Sequence, residues 1–221
     1  SFCEGFFVLK RSEFGITEGL FWSADGTKLA FYQKDETEVH DYPLLDNSKT
    51  PGELISIKYP MAGQKSEKAR VGIFDLKTKE TVYFAAKNGQ DNYLTNLSWT
   101  PDGNYVVVAE VNRDQDHMWL NVYNAKNGKF VKTLFEETSD KWTEPEHPAF
   151  FPEKTNNNFV WISERDGFNN LYYYDFNGSL IKKLTDHKFV VNDIHSCVNG
   201  VIYYNTTGES PLQKHLYGVD L

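Results

Sequence analysis

One pattern recurs along the chain and constrains its fold more than any other feature. Asp75, Asn124, Asp175 and Asp220 stand 49, 51 and 45 residues apart, each inside a strand-like stretch: GIFDLKTKETVYF, NVYNAKNGKFVKTLF, YYYDFNGSLIKKLT and HLYGVDL. Periods of about 40–50 residues are those of β-propeller blades. A second motif lies upstream of these hairpins, in LFWSADGTKLAFY (20–32), LSWTPDGNYVVVAEV (97–111) and AFFPEKTNNNFVWIS (149–163). Its turns have a mechanism: Pro101 presets φ, and Gly26 and Gly103 accept the positive φ that follows. Strands rich in Val, Ile, Phe, Tyr and Trp between DG and NG turns are an all-β signature, and no helical periodicity is sustained. The expected fold is an all-β partial β-propeller of about four four-stranded antiparallel blades, with helix below about 10% of residues.

The blades are expected at 17–86, 93–135, 146–185 and 189–221, the last incomplete, with residues 1–10 unassigned and 11–221 forming the partial propeller. Trp22 and Trp99 stand 77 residues apart, well beyond the other spacings, so the first blade carries an insertion at about 35–68. Two readings stay open for it, a solvated loop and an interaction arm; LISIKY within it has strand character.

Composition narrows the function. With 23 Lys+Arg against 31 Asp+Glu the net charge is −8, which argues against a nucleic-acid partner. No apolar run is long enough for a membrane helix. Cys3 and Cys197 alone build neither a disulfide framework nor a CxxC site. GxSxG, the P-loop and GxGxxG are all absent, the six His have no metal-ligand spacing, and neither a metal nor a cofactor is expected. The acidic clusters 35–38, 136–137 and 144–146 read as a solvated rim, and the aromatic runs as packing between blades.

SEFGITEGLFWSADGTKLAFYQKDETEV, KYPMAGQ, NYLTNLSWTPDGNYVVVAEVNRDQ, EPEHPAFF and SERDGFNNLYYYDFNGSLIKKLT together resemble the propeller of the dipeptidyl peptidase IV family, in its Bacteroides-type form. The resemblance implies a serine exopeptidase in which a propeller caps an α/β-hydrolase domain bearing a Ser-Asp-His triad. That domain and triad are not in these residues, so the chain is expected to be inactive alone. The resemblance also implies a pair of Glu holding the substrate's free amino terminus. Glu13 matches one of them, and Ser12 stands at the position of the other. Trp142 is a candidate wall of the substrate cavity, against the reading of a structural aromatic. The implied partners are peptides with a free N-terminus and the hydrolase domain, with self-association through 35–68 or open blade edges; the implied location is periplasmic, secreted or cell-surface. The rival expectation is a free-standing interaction propeller that binds protein or glycan.

Overall fold

A computed structural model describes residue 14, residues 18–154 and residues 157–221. Blade 1 is built from β1 (Leu20–Trp22), β2 (Lys28–Asp35), β5 (Lys68–Asp75) and β6 (Thr81–Ala85), hydrogen-bonded in that order. Between β2 and β5 the chain leaves the blade as a separate hairpin, β3 (Asp41–Asp46) and β4 (Glu53–Lys58), called here the arm. Blade 2 comprises β7 (Tyr93–Trp99), β8 (Tyr105–Val111), β9 (His117–Asn124) and β10 (Phe130–Thr138). Blade 3 has β11 (Asn158–Ser163), β12 (Asn170–Asp175) and β13 (Leu180–Lys183); blade 4 has β14 (Val191–Val198), β15 (Val201–Thr206) and β16 (His215–Asp220). Every strand pair is antiparallel, and no helix occurs among the described residues.

The expectation of four strands per blade holds in blades 1 and 2 and not in blade 3. There the innermost strand is reduced to one bridge, in which Phe150 and Val160 exchange hydrogen bonds of 3.0 and 2.7 Å. In an antiparallel ladder the next such pairs would fall two residues away on each side. Those positions are Pro148 and Pro152, which have no N–H to donate, so the ladder stops after a single rung.

Period-two alternation explains how the blades stack. On β8, Val106 and Val108 join Ala30, Val71 and Ile73 of blade 1, while Val107, Ala109 and Val111 join Phe159, Trp161, Tyr172 and Tyr174 of blade 3. Blade 3 repeats the arrangement: Val160, Ile162, Leu171 and Tyr173 face Val191, Ile202 and Tyr204 of blade 4. The run Tyr172–Tyr174 does pack between blades, as in the 4.4 Å stack of Phe135 on Tyr174, whereas Trp22 and Tyr203 of the other runs are exposed.

Two turns place glycine where nothing larger fits. Gly128, in the β9–β10 turn at φ 68°, would with a Cβ come within 2.7 Å of the Tyr83 carbonyl oxygen on β6. Gly178, in the β12–β13 turn at φ 94°, would overlap the Leu134 carbonyl on β10 at 1.7 Å. In both cases the turn of one blade lies directly against the outermost strand of the blade before it.

A buried carboxylate fixes the passage from blade 1 to blade 2. Glu110 on β8 is fully buried and accepts hydrogen bonds from the backbone N–H groups of Lys87 (3.0 Å) and Asn88 (2.7 Å). The side-chain amides of Asn88 (3.3 Å), Asn92 (2.8 Å) and Asn121 (2.9 Å) add three more. A buried charge persists only when satisfied in this way.

Candidate functional site

A concavity lies where blade 2 hands over to blade 3. The segment after β10 and the β11–β12 turn enclose about 330 Å³, with Trp142, Glu144, Glu146, His147, Glu164 and Arg165 among the lining residues. The turn is tight because the Gly167 N–H donates to the Glu164 carbonyl at 2.7 Å and Gly167 takes φ 94°. The segment 142–146 belongs to no sheet. Thr143 and Pro145 are buried while Trp142, Glu144 and Glu146 are exposed, a two-residue alternation in burial.

The floor of the cavity is a charged network. Glu137, at the end of β10, accepts from Trp161 Nε1 at 3.1 Å and from Ser163 Oγ at 2.9 Å, and is ion-paired with Arg165 Nη2. Arg165 also donates through Nε to Ser163 Oγ at 3.0 Å and through Nη1 to Tyr174 OH, and its guanidinium lies 4.3 Å from the Tyr172 ring centroid. Burial pushes the Glu137 carboxyl up against the lowering influence of Arg165 and its hydrogen bonds. The reading of 136–137 as part of a solvated rim is thus corrected: Glu136 lies at the surface beside His117, but Glu137 turns inward. Strand alternation puts the two on opposite faces.

Around the mouth the carboxylates act on one another. Glu146 is raised by partial burial and by Glu144; Glu164 is raised by partial burial and then by Glu144, Glu146 and Glu137. His147 is lowered by burial, with Asp193 opposing. Among the described residues the lining carries the carboxylates of Glu137, Asp140, Glu144, Glu146 and Glu164 against Lys141 and the already engaged Arg165, a negative balance suited to a cationic group rather than an anion. Among the described residues no cluster of His, Cys, Asp and Glu is disposed to hold a metal ion.

Of the residues singled out in the sequence, Trp142 lies on this cavity and is 55% exposed. Glu13 and Ser12 lie outside the described residues. The residue bonded to Glu13 is described: Phe14 is 1% exposed, sits in the core shared by blades 2 and 3, and approaches Tyr93 at 5.3 Å between ring centroids. The sequence reading missed Glu137, Glu164 and Arg165. SERDG reads as a turn, and nothing local marks its arginine as the partner of a glutamate 28 residues upstream.

Residues 7–221 match the family described as "Dipeptidyl peptidase IV (DPP IV) N-terminal region". A Tuber melanosporum protein named "Probable dipeptidyl-aminopeptidase B" is 30% identical over 246 residues, covering 97% of this chain and 27% of its own length. The Saccharomyces cerevisiae dipeptidyl aminopeptidase B is 28% identical over 97% of this chain and 28% of its own. The crystal structure of a Bacteroides ovatus protein assigned as a dipeptidyl aminopeptidase IV superposes with a TM-score of 0.86 at 34% identity, covering 95% of this chain and 32% of that one. Porphyromonas gingivalis dipeptidyl peptidase 4 shares the fold, with a TM-score of 0.80 at 24% identity over 95% of this chain and 30% of that one. The chain therefore spans about a quarter to a third of the relatives it matches.

Proposed function

The chain belongs to the dipeptidyl peptidase IV N-terminal-region family, and from that premise we propose that it is the non-catalytic propeller segment of a serine exopeptidase, gating substrate and anchoring its free amino terminus. The observation that carries this reading is the cavity lined by Trp142, Glu144, Glu146 and Glu164, whose negative potential suits a peptide ammonium and repels a carboxylate. An exopeptidase that counts residues from the N-terminus needs a fixed anion at a set distance from its nucleophile. Glu13 is assigned that role, with Ser12 at the position of the second carboxylate and Trp142 on the cavity wall. Bond cleavage is assigned to a hydrolase unit outside these residues, which contain no GxSxG elbow.

The arm is proposed as a self-association surface. Its apolar side chains, with Leu54 73% and Leu45 61% exposed, support docking against a second copy of the protein. A periplasmic, secreted or cell-surface location belongs to the same proposal; no described helix is long and apolar enough to cross a membrane.

The test is Glu13→Ala in the full-length enzyme. Stripping one partner from a desolvated charge pair costs about 2–5 kcal/mol, which lowers kcat/KM on free-amine dipeptide substrates roughly 30- to several-thousand-fold. Substrates with a blocked amine should be poor for the wild type and no worse for the variant. Unchanged kcat/KM on the free-amine substrate would remove Glu13 from the site.

A further inference from the structure

Among the described residues four non-glycines have positive φ: Lys79, Asn96, Gln115 and Asn199. Lys79, Gln115 and Asn199 lie in turns between strands, where a left-handed residue closes the hairpin. Asn96 differs, because it lies within β7, the innermost strand of blade 2, at φ 51°. The β7–β8 register shifts between Thr95 and Ser98, so Asn96 occupies a bulge, and it is only 4% exposed. A bulge re-aims a side chain, and a left-handed non-glycine persists only where its surroundings over-determine it.

The target of that side chain is the cavity segment. Asn96 Nδ2 donates to the Pro145 carbonyl, 49 residues away in sequence, and to Thr95 Oγ1 at 3.2 Å; Thr95 in turn donates to the Ala109 carbonyl at 3.2 Å. Two residues earlier on the same segment, the Thr143 N–H donates to the carbonyl of Gln115, in the β8–β9 turn, at 2.5 Å. Left-handed residues from two different elements of blade 2 therefore grip neighbouring points, and the gripped residues, Thr143 and Pro145, are the buried ones. Their grip sets which way Trp142, Glu144 and Glu146 project.

We propose that Asn96 and Gln115 form a two-point clamp on residues 143–145, and that Asn96 is thereby a positioning residue for substrate recognition by the Trp142–Glu146 segment. The second half rests on the reading of the cavity given above. A segment outside any sheet has no ladder to hold its direction, so loss of the Pro145 anchor frees the side chains on both sides of it.

The experiment uses the full-length enzyme with Asn96→Gly, which keeps the left-handed backbone without strain and removes the amide, and Asn96→Asp, which keeps the shape and cannot donate while ionised. Hydrogen exchange in peptides spanning 139–149 should quicken about tenfold in both, with the strands of blade 2 unchanged. KM for a free-amine dipeptide substrate should rise about tenfold, with kcat within twofold. Trp142→Ala, measured alongside, tests the cavity reading by itself. If exchange over 139–149 is unchanged in both Asn96 variants, the clamp is overturned. If exchange quickens and KM stays fixed while Trp142→Ala raises KM, the positioning role is overturned. If neither Asn96→Gly nor Trp142→Ala moves KM, the positioning role falls together with the substrate reading of the cavity, and the quickened exchange leaves only the structural clamp standing.

Discussion

Strand β8 of blade 2, YVVVAEV, and strand β4 of the arm, ELISIK, draw on similar aliphatic residues and end in opposite surroundings. Six of the seven β8 residues are buried, because blades 1 and 3 cover its two faces. Among the described residues the arm has no such neighbours. Tyr42, Leu44, Ile55 and Ile57 share one of its faces and Leu45 and Leu54 the other, and most of them stand open to solvent. Burying one such side chain is worth about 1.5–3 kcal/mol. Blade 2 gains that several times over, whereas the arm, in this chain, does not. β-propensity made both into strands; only the neighbours decided which one became core.

The comparison breaks most visibly at Glu110. Glu110→Ala leaves two backbone N–H groups and three side-chain amides without their acceptor, and should destabilise the fold by about 3–5 kcal/mol in chemical denaturation. Glu110→Gln should be nearly as damaging, since its NH₂ would face other donors. A loss under about 1 kcal/mol would show that blade 2 tolerates a polar gap as the arm does. On the arm the same class of experiment should be quiet: Leu45→Ser with Leu54→Ser should change stability by no more than about 0.5 kcal/mol, as at exposed sites generally. The same pair in the full-length enzyme should move it from dimer toward monomer on a sizing column. An unchanged elution volume would turn the arm into an ordinary surface excursion.

The smallest effect is expected at the base of the arm, where Glu38 receives Lys65 at 2.7 Å and Lys68 at 2.6 Å. These hydrogen bonds and charges lower its pKa from 4.5 to about 2. A carboxylate depressed on folding contributes above its unfolded pKa, and the contribution fades as pH falls through the folded value. The difference in arm-base hydrogen exchange between wild type and Glu38→Gln should therefore be constant from pH 7 to about 5 and shrink toward pH 2. A difference that grew on acidification would show that another group holds the arm.

The parts of this fold that were legible in the sequence are those set by local chemistry. Periodic Asp and Asn, the ADG, PDG and NG turns and alternating apolar strands need only neighbours in sequence to do their work. Blade 3 shows the limit of pattern reading: AFF is apolar enough for a strand, but Pro148 and Pro152 fall on the two positions whose N–H groups the ladder would use. That constraint appears only once the register is known. The candidate site was less legible because it is made of long-range pairings. Glu137 with Arg165 joins blade 2 to blade 3, and Asn96 with Pro145 joins a bulge to a loop. Neither Asn96 nor Gln115 sits in a motif that announces a left-handed backbone. Trp142 was picked out by resemblance, whereas the alternation that exposes it follows from two anchors invisible in WTEPE.

The glycine turns of blades 2 and 3 give the stack a direction. Gly128 lies against Tyr83 and Gly178 against Leu134, so each blade overlaps the one before it like a roof tile. Synthesis runs the same way, N-terminus first. A blade leaving the ribosome thus meets the ledge its own turn must rest on already in place, and assembly can advance tile by tile without waiting for a ring to close.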